Sequence, residues 1–157
     1  MTGNLGFSYV GLIYLLMLFA PNLFWSKRLP AGYDPSGENS LLLVCERVGQ
    51  VCVTCCALMF SNFNLQPFTV WSMWLAASFL LMIVYELFWL RYFKSGRRLA
   101  DFYRSFCGIP LPGASLPVAA FFLLGVYGRV IWLMLAVLLL GIGHIGIHWQ
   151  HLKKLSR

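Results

Sequence analysis

Charged residues are scarce in this chain, and their scarcity excludes most classes of soluble protein. Asp, Glu, Lys and Arg make up 11% of the 157 residues, and only five residues are acidic. A soluble domain usually carries about 25% charged residues. Hydrophobic residues make up 60%, so an aqueous surface cannot be built. The composition therefore predicts a single integral membrane domain over residues 1–157.

Signal-peptide features and paired loop cysteines are also lacking. The first apolar stretch has no basic segment before it and no A-x-A-like cleavage site, so we expect a retained span. Four of the five cysteines fall in one apolar stretch, CERVGQVCVTCC. We expect free thiols that pack between helices, with a redox or soft-metal role for the CxxC pair as the alternative.

Five apolar stretches indicate an all-α polytopic membrane helix bundle with five transmembrane helices. A span needs about 20 apolar residues, and the fourth stretch is short by this measure. A start as early as Pro112 is open for it. The predicted spans are about Leu5–Trp25, Leu41–Phe60, Pro67–Leu90, Leu116–Tyr127 and Val130–Trp149.

The basic residues lie almost entirely on one side of the predicted bundle. The opposite side carries only Arg129. The positive-inside rule then predicts an outer N-terminus and an inner C-terminus, in a multi-pass cell membrane protein typical of the bacterial inner membrane. The net charge of +7 indicates attraction to anionic lipid headgroups and no nucleic-acid partner. The residues on the basic side are Lys27, Arg28, Arg91, Lys94, Arg97, Arg98, Arg104, Lys153, Lys154 and Arg157.

The loop before the fourth stretch has a periodicity of its own over residues 97–106. Its apolar positions recur at helical spacing, and the arginines take the remaining positions. This pattern predicts an amphipathic helix at the cytoplasmic interface. The apolar positions are Leu99, Phe102, Tyr103 and Phe106.

The three histidines of the chain share one face of the last span. His148 lies about 40° and His151 about 20° from His144 around a helix. Glu46 and Glu86 lie inside other predicted spans, near the same membrane face. Ionisable groups inside a bilayer are costly, so these residues form a functional-site hypothesis.

The residue types allow several chemistries at this inner-face site. Glu46, Glu86, His144 and His148 are the candidates for proton transfer or acid–base catalysis. His144 and His148, with Glu86, could instead hold a divalent metal. No motif indicates a particular reaction. The site predicts a membrane enzyme or transporter that binds a small ligand, lipid headgroup or metal. Further candidate ligand-binding residues are Arg47, Gln50, Arg97, Arg98, Arg104 and His151.

The alternative hypothesis is an accessory membrane subunit. In that case the polar residues would join helices within the chain, in a homo-oligomer, or with a membrane partner. Gly141, Gly143 and Gly146 surround His144. Such glycines favour close helix packing, and less strongly a space for a ligand beside His144.

Overall fold

The computed structural model describes residues 2–155, and the fold is built from helices. The predicted all-helical bundle is confirmed. One 3-10 turn, Ser61–Phe63, follows the second helix. The α-helices of the described residues are α1 (Tyr9–Ser26), α2 (Ser40–Met59), α3 (Ser72–Lys94), α4 (Leu99–Tyr103), α5 (Pro112–Gly128) and α6 (Ile131–Leu155).

Four helices, α1, α2, α3 and α6, are long and apolar enough to cross a membrane. The shortest of them has 18 residues and is therefore about 27 Å long. Large apolar side chains such as Leu16, Leu80 and Ile142 are exposed on their outer faces, as lipid contact requires. Helix α5 is also apolar but has 17 residues. It is packed between α3 and α6.

Short polar residues set the starts of two spans. The Ser8 hydroxyl accepts a hydrogen bond from the Gly11 N–H at 2.9 Å and begins α1. The Asn39 side chain accepts from the Leu41 and Leu42 N–H groups and begins α2. Both are N-caps, which satisfy amides that the first helical turn leaves unpaired.

Glycines let α2 and α6 approach each other at backbone distance. A Cβ atom at Gly49 would lie 2.5 Å from the Leu140 nitrogen, and one at Gly143 would overlap the backbone of Glu46. A neighbouring backbone cannot move aside, so only glycine permits this contact. The packing role predicted for Gly143 is therefore the one it has. The contact also brings His144 beside Glu46.

The amphipathic helix is shorter than predicted. Helix α4 covers five residues, not the ten of residues 97–106. Its inward side chains, Leu99, Phe102 and Tyr103, are buried as the periodicity predicted. Arg97 has a φ of 53° and Arg104 is extended, so neither continues the helix. Phe102 packs on the aromatic cluster at the end of α3.

Candidate functional site

The centre of the candidate site is a hydrogen-bonded pair, Glu46 on α2 and His144 on α6. His144 Nδ1 lies 2.5 Å from Glu46 Oε1. The two side chains keep 21% and 26% of their surface accessible. The glycine contact between α2 and α6 fixes the separation of the two backbones and brings the two side chains within reach of each other. The sequence predicts that Glu46 and His144 lie near the same membrane face, and in the structure the two side chains are in direct contact.

His148 lies one helical turn beyond His144 and extends the polar surface. The two imidazole rings are 4.6 Å apart in an edge-to-face arrangement. The other neighbours of His148 are the rings of Phe102 and Tyr103, at 5.7 and 5.8 Å. No group within residues 2–155 forms a hydrogen bond with His148. A half-buried imidazole without a protein partner is available to a ligand.

His151 forms a second pair with Glu38. His151 Nε2 lies 2.8 Å from Glu38 Oε1, and only 5% and 9% of the two side chains are exposed. The sequence predicted His151 as a ligand-binding residue and gave no role to Glu38. The loop between α1 and α2 folds over the end of α6 and buries both residues. No local sequence signal identifies Glu38, because 113 positions separate it from His151.

A cavity of about 440 Å³ joins the two pairs. It lies between α1, α2, α5 and α6, and part of its boundary is open. Arg47 and Gln50 are exposed and stand on its α2 side. The polar lining residues are Asn22, Ser26, Tyr33, Glu38, Glu46, Arg47, Gln50, His144, His148 and His151. Apolar and aromatic side chains, which include Leu18, Trp25, Phe102 and Phe121, form the remainder of the wall.

Glu86 does not line this cavity. It lies on α3, and its buried Oε1 has no hydrogen-bond partner among residues 2–155. Across those described residues no group of three His, Cys, Asp or Glu side chains is arranged to hold a metal ion. The metal site of His144, His148 and Glu86 stays a prediction.

The basic residues near α4 lie outside the cavity. Arg97, Arg98 and Arg104 are exposed and are not part of its lining. The five cysteines are free thiols, and none of them lines the cavity. Arg47, Gln50 and His151 are therefore the predicted ligand-binding residues that the fold brings to the cavity.

The Glu46–His144 pair has the geometry of an oriented imidazole. When an ionised Glu46 accepts the Nδ1 proton, the lone pair of His144 is on Nε2, which can then accept a proton from a bound molecule. A carboxylate behind the imidazole also stabilises the protonated ring. The pair can therefore take up and return a proton at the cavity wall.

Fold and site together define a helical protein of membrane type with a half-open polar cavity. No family model, curated protein or solved structure matches the chain. The residues of the cavity are thus the basis for any functional proposal.

Proposed function

We propose that this protein binds an amphiphilic molecule from the membrane and exchanges a proton with it. The polar end of the molecule would lie against Glu46, His144 and His148. Its apolar part would lie between Leu18 and Phe121. The observation that carries this proposal is a cavity of about 440 Å³ whose wall contains both polar and apolar side chains. This volume suits a small ligand or part of a lipid.

The order of the lining residues along α6 supports an amphiphile over a water-soluble solute. His151, His148, His144 and Leu140 follow one another from the end of the helix inwards. They span about 16 Å along the axis. Along α6 the three histidines thus lie toward the end of the helix and Leu140 lies deeper, with Ile147 between His148 and His144. A membrane lipid has the same polarity along its length.

The partly open side of the cavity supports entry from the membrane. Phe19 of α1 and Leu43 of α2 line the cavity with the exposed Arg47 and Gln50, and we infer that the opening lies between these two helices. Both helices are of membrane-crossing length. A molecule could slide between α1 and α2 without leaving the bilayer, while Arg47 attracts an anionic or dipolar headgroup at the opening.

We further infer five spans, with α5 as the short fourth span, an outer N-terminus and an inner C-terminus. Under this arrangement the cavity lies in the cytoplasmic half of a bacterial inner membrane. The distribution of the basic residues supports it, because Arg129 alone occupies the opposite side. The exposed Arg97, Arg98 and Arg104 would then face anionic headgroups.

Mass spectrometry of co-purified lipid tests the proposed function. The protein is extracted from membranes into lipid nanodiscs, washed and analysed for small amphiphiles. We expect one amphiphile to be retained at close to one per chain. Glu46→Gln and His144→Ala should each reduce its retention at least about tenfold, as expected when a charged hydrogen bond is lost.

The matched control is Cys55→Ser, because Cys55 is exposed on the same helix as Glu46 and does not line the cavity. This variant should retain the amphiphile. Circular dichroism checks that each variant keeps its helices. Equal retention by the folded Glu46→Gln protein and the control would contradict the proposal.

A further inference from the structure

The loop of residues 27–39 is attached to the end of α6 by several contacts. Besides the Glu38–His151 pair, the Lys154 Nζ group donates to the Ser36 carbonyl oxygen at 3.2 Å. The Asn39 N–H donates to the Gln150 side chain at 3.3 Å. These contacts join α6 to a loop that is distant along the chain. Glu38 and His151 are 113 positions apart, and Ser36 and Lys154 are 118 positions apart.

Tyr33 adds an aromatic contact between α1 and α6. Its ring centroid lies 5.1 Å from that of Trp25 and 5.1 Å from that of His151. Burial, together with the nearby Glu38 carboxylate, raises the pKa of Tyr33. The tyrosine is thus held in a partly enclosed position within an otherwise exposed loop.

The loop residues that touch α6 also form part of the cavity wall. Tyr33, Pro35, Glu38 and His151 all line the cavity. They stand at its outer end, beyond His148 on α6 and beside Trp25 of α1. The same contacts that hold the loop therefore place it over this end of the cavity.

We propose that residues 27–39 form a lid, held closed by the Glu38–His151 pair, and that release of this pair opens the cavity to water. The cavity would then have two entrances. One faces lipid between α1 and α2, and the other is closed by the lid. A polar group bound near His144 and His148 could exchange with water through the second.

The rest of the loop offers little resistance to opening. Most of its residues are exposed. Gly32 and Gly37 have φ values of 84° and 82°, and a side chain at Gly32 would meet only open space. Few buried contacts and a turn-rich backbone are the features of segments that open locally. The cost of opening is therefore concentrated in the contacts to α6.

The lid can be tested without any ligand by cysteine labelling. The probe residue is Ile147→Cys, placed in a variant whose five cysteines are serine, because Ile147 lines the cavity and is 4% exposed. A negatively charged, water-soluble methanethiosulfonate reagent is added to the full chain in nanodiscs. The reagent cannot enter through lipid, so its rate reports access from water.

We expect slow labelling with the lid intact and labelling at least about tenfold faster in Glu38→Gln and in His151→Gln, because each replaces the buried carboxylate–imidazole hydrogen bond with a weaker one to a neutral amide. The matched control is Asp34→Asn. This variant also changes a carboxylate to its amide in the same loop, but within residues 2–155 the side-chain hydrogen bonds of Asp34 are those with Ser36. Its labelling rate should stay within about twofold of the starting protein.

The exchanged variant with Glu38→His and His151→Glu should restore slow labelling, which a general loss of structure would not do. Fast labelling of the unaltered lid, or equal rates for Glu38→Gln and Asp34→Asn, would overturn the proposal. Because the test uses no amphiphile, its failure leaves the proposed binding function intact. Failure of lipid retention likewise leaves the lid intact.

Discussion

The protein contains two Glu–His pairs of the same chemistry in different surroundings. Glu46 and His144 join two membrane-length helices and retain about a quarter of their side-chain surface. Glu38 and His151 join a loop to a helix end and are almost fully buried. The hydrogen bonds are similar, at 2.5 and 2.8 Å. The pairs differ in what surrounds them and in what holds their backbones.

We therefore assign different roles to the two pairs. Glu46 and His144 exchange a proton with a ligand, and Glu38 and His151 attach the loop to α6. A pair that a ligand can reach can exchange protons with it. The Glu38–His151 pair also borders the cavity but is almost fully buried, and removal of one partner leaves the other polar group without compensation. Helix packing also fixes the first pair, whereas the second pair itself fixes the loop. We therefore expect the two pairs to respond differently to matched substitutions.

The largest effect should come from Gly143→Ala, which acts on the backbone behind the Glu46–His144 pair. The new Cβ atom would overlap the Glu46 nitrogen and the Leu42 carbonyl oxygen, so α2 and α6 must separate. We expect the free energy of unfolding to fall by about 3 kcal/mol. Amphiphile retention should be lost with it. Equilibrium unfolding in mixed micelles measures the first effect.

Gly146→Ala is the control for this separation of helices. The three atoms nearest to a Cβ atom there all belong to the side chain of Leu42, which can change rotamer. Its cost should be within about 1 kcal/mol. Equal losses for the two glycine variants would refute the argument that backbone contact positions the first pair.

The next effect compares the two pairs directly. His151→Ala leaves Glu38 buried without its partner, and we expect a loss of about 2 kcal/mol of unfolding free energy. His144→Ala should cost less than about 1 kcal/mol, since its pair is partly accessible and polar contacts between membrane helices are weak on average. Retention should show the reverse order. Thermal unfolding measures the losses of stability, and lipid mass spectrometry measures amphiphile retention. A larger loss of stability for His144→Ala than for His151→Ala would contradict the assigned roles.

The smallest effect is a loss of stability at alkaline pH that involves Tyr33 of the lid and Tyr103 of α4. Burial raises the pKa of Tyr33 and of Tyr103 above the ordinary value of 10.0, and the Glu38 charge adds to this in both. Above about pH 10 the unfolded chain loses these protons while the native protein retains them. Stability therefore falls as the pH rises through this value.

A double variant with Tyr33→Phe and Tyr103→Phe should lose less stability between about pH 8 and pH 11. The measurement is the unfolding midpoint at the two values. Tyr9→Phe, an exposed tyrosine at the start of α1, is the control. A loss in the double variant as large as that in the control would show that Tyr33 and Tyr103 are not its cause.

Sequence periodicity located the helices and put Glu46 and His144 near the same predicted membrane face. Apolar runs predicted the spans, and their ends shifted by only a few residues for α2 and α5. The shared depth of Glu46 and His144 followed from the order in which the chain crosses the bundle. The same reasoning grouped Glu86 with them, but depth does not set the direction in which a helix face points. Glu86 lies near the end of α3, as the predicted spans required, but it does not line the cavity.

The amino-acid sequence by itself determined a helical bundle of membrane type, since apolar content and helical spacing are properties of local segments. It also determined that imidazoles would form one stripe on α6. Only the tertiary structure decided which carboxylates meet them. Glu38 reaches His151 because the loop folds back, and Glu46 reaches His144 because two glycines let backbones touch. Contacts between residues about a hundred positions apart depend on packing of the whole bundle, which no local pattern records.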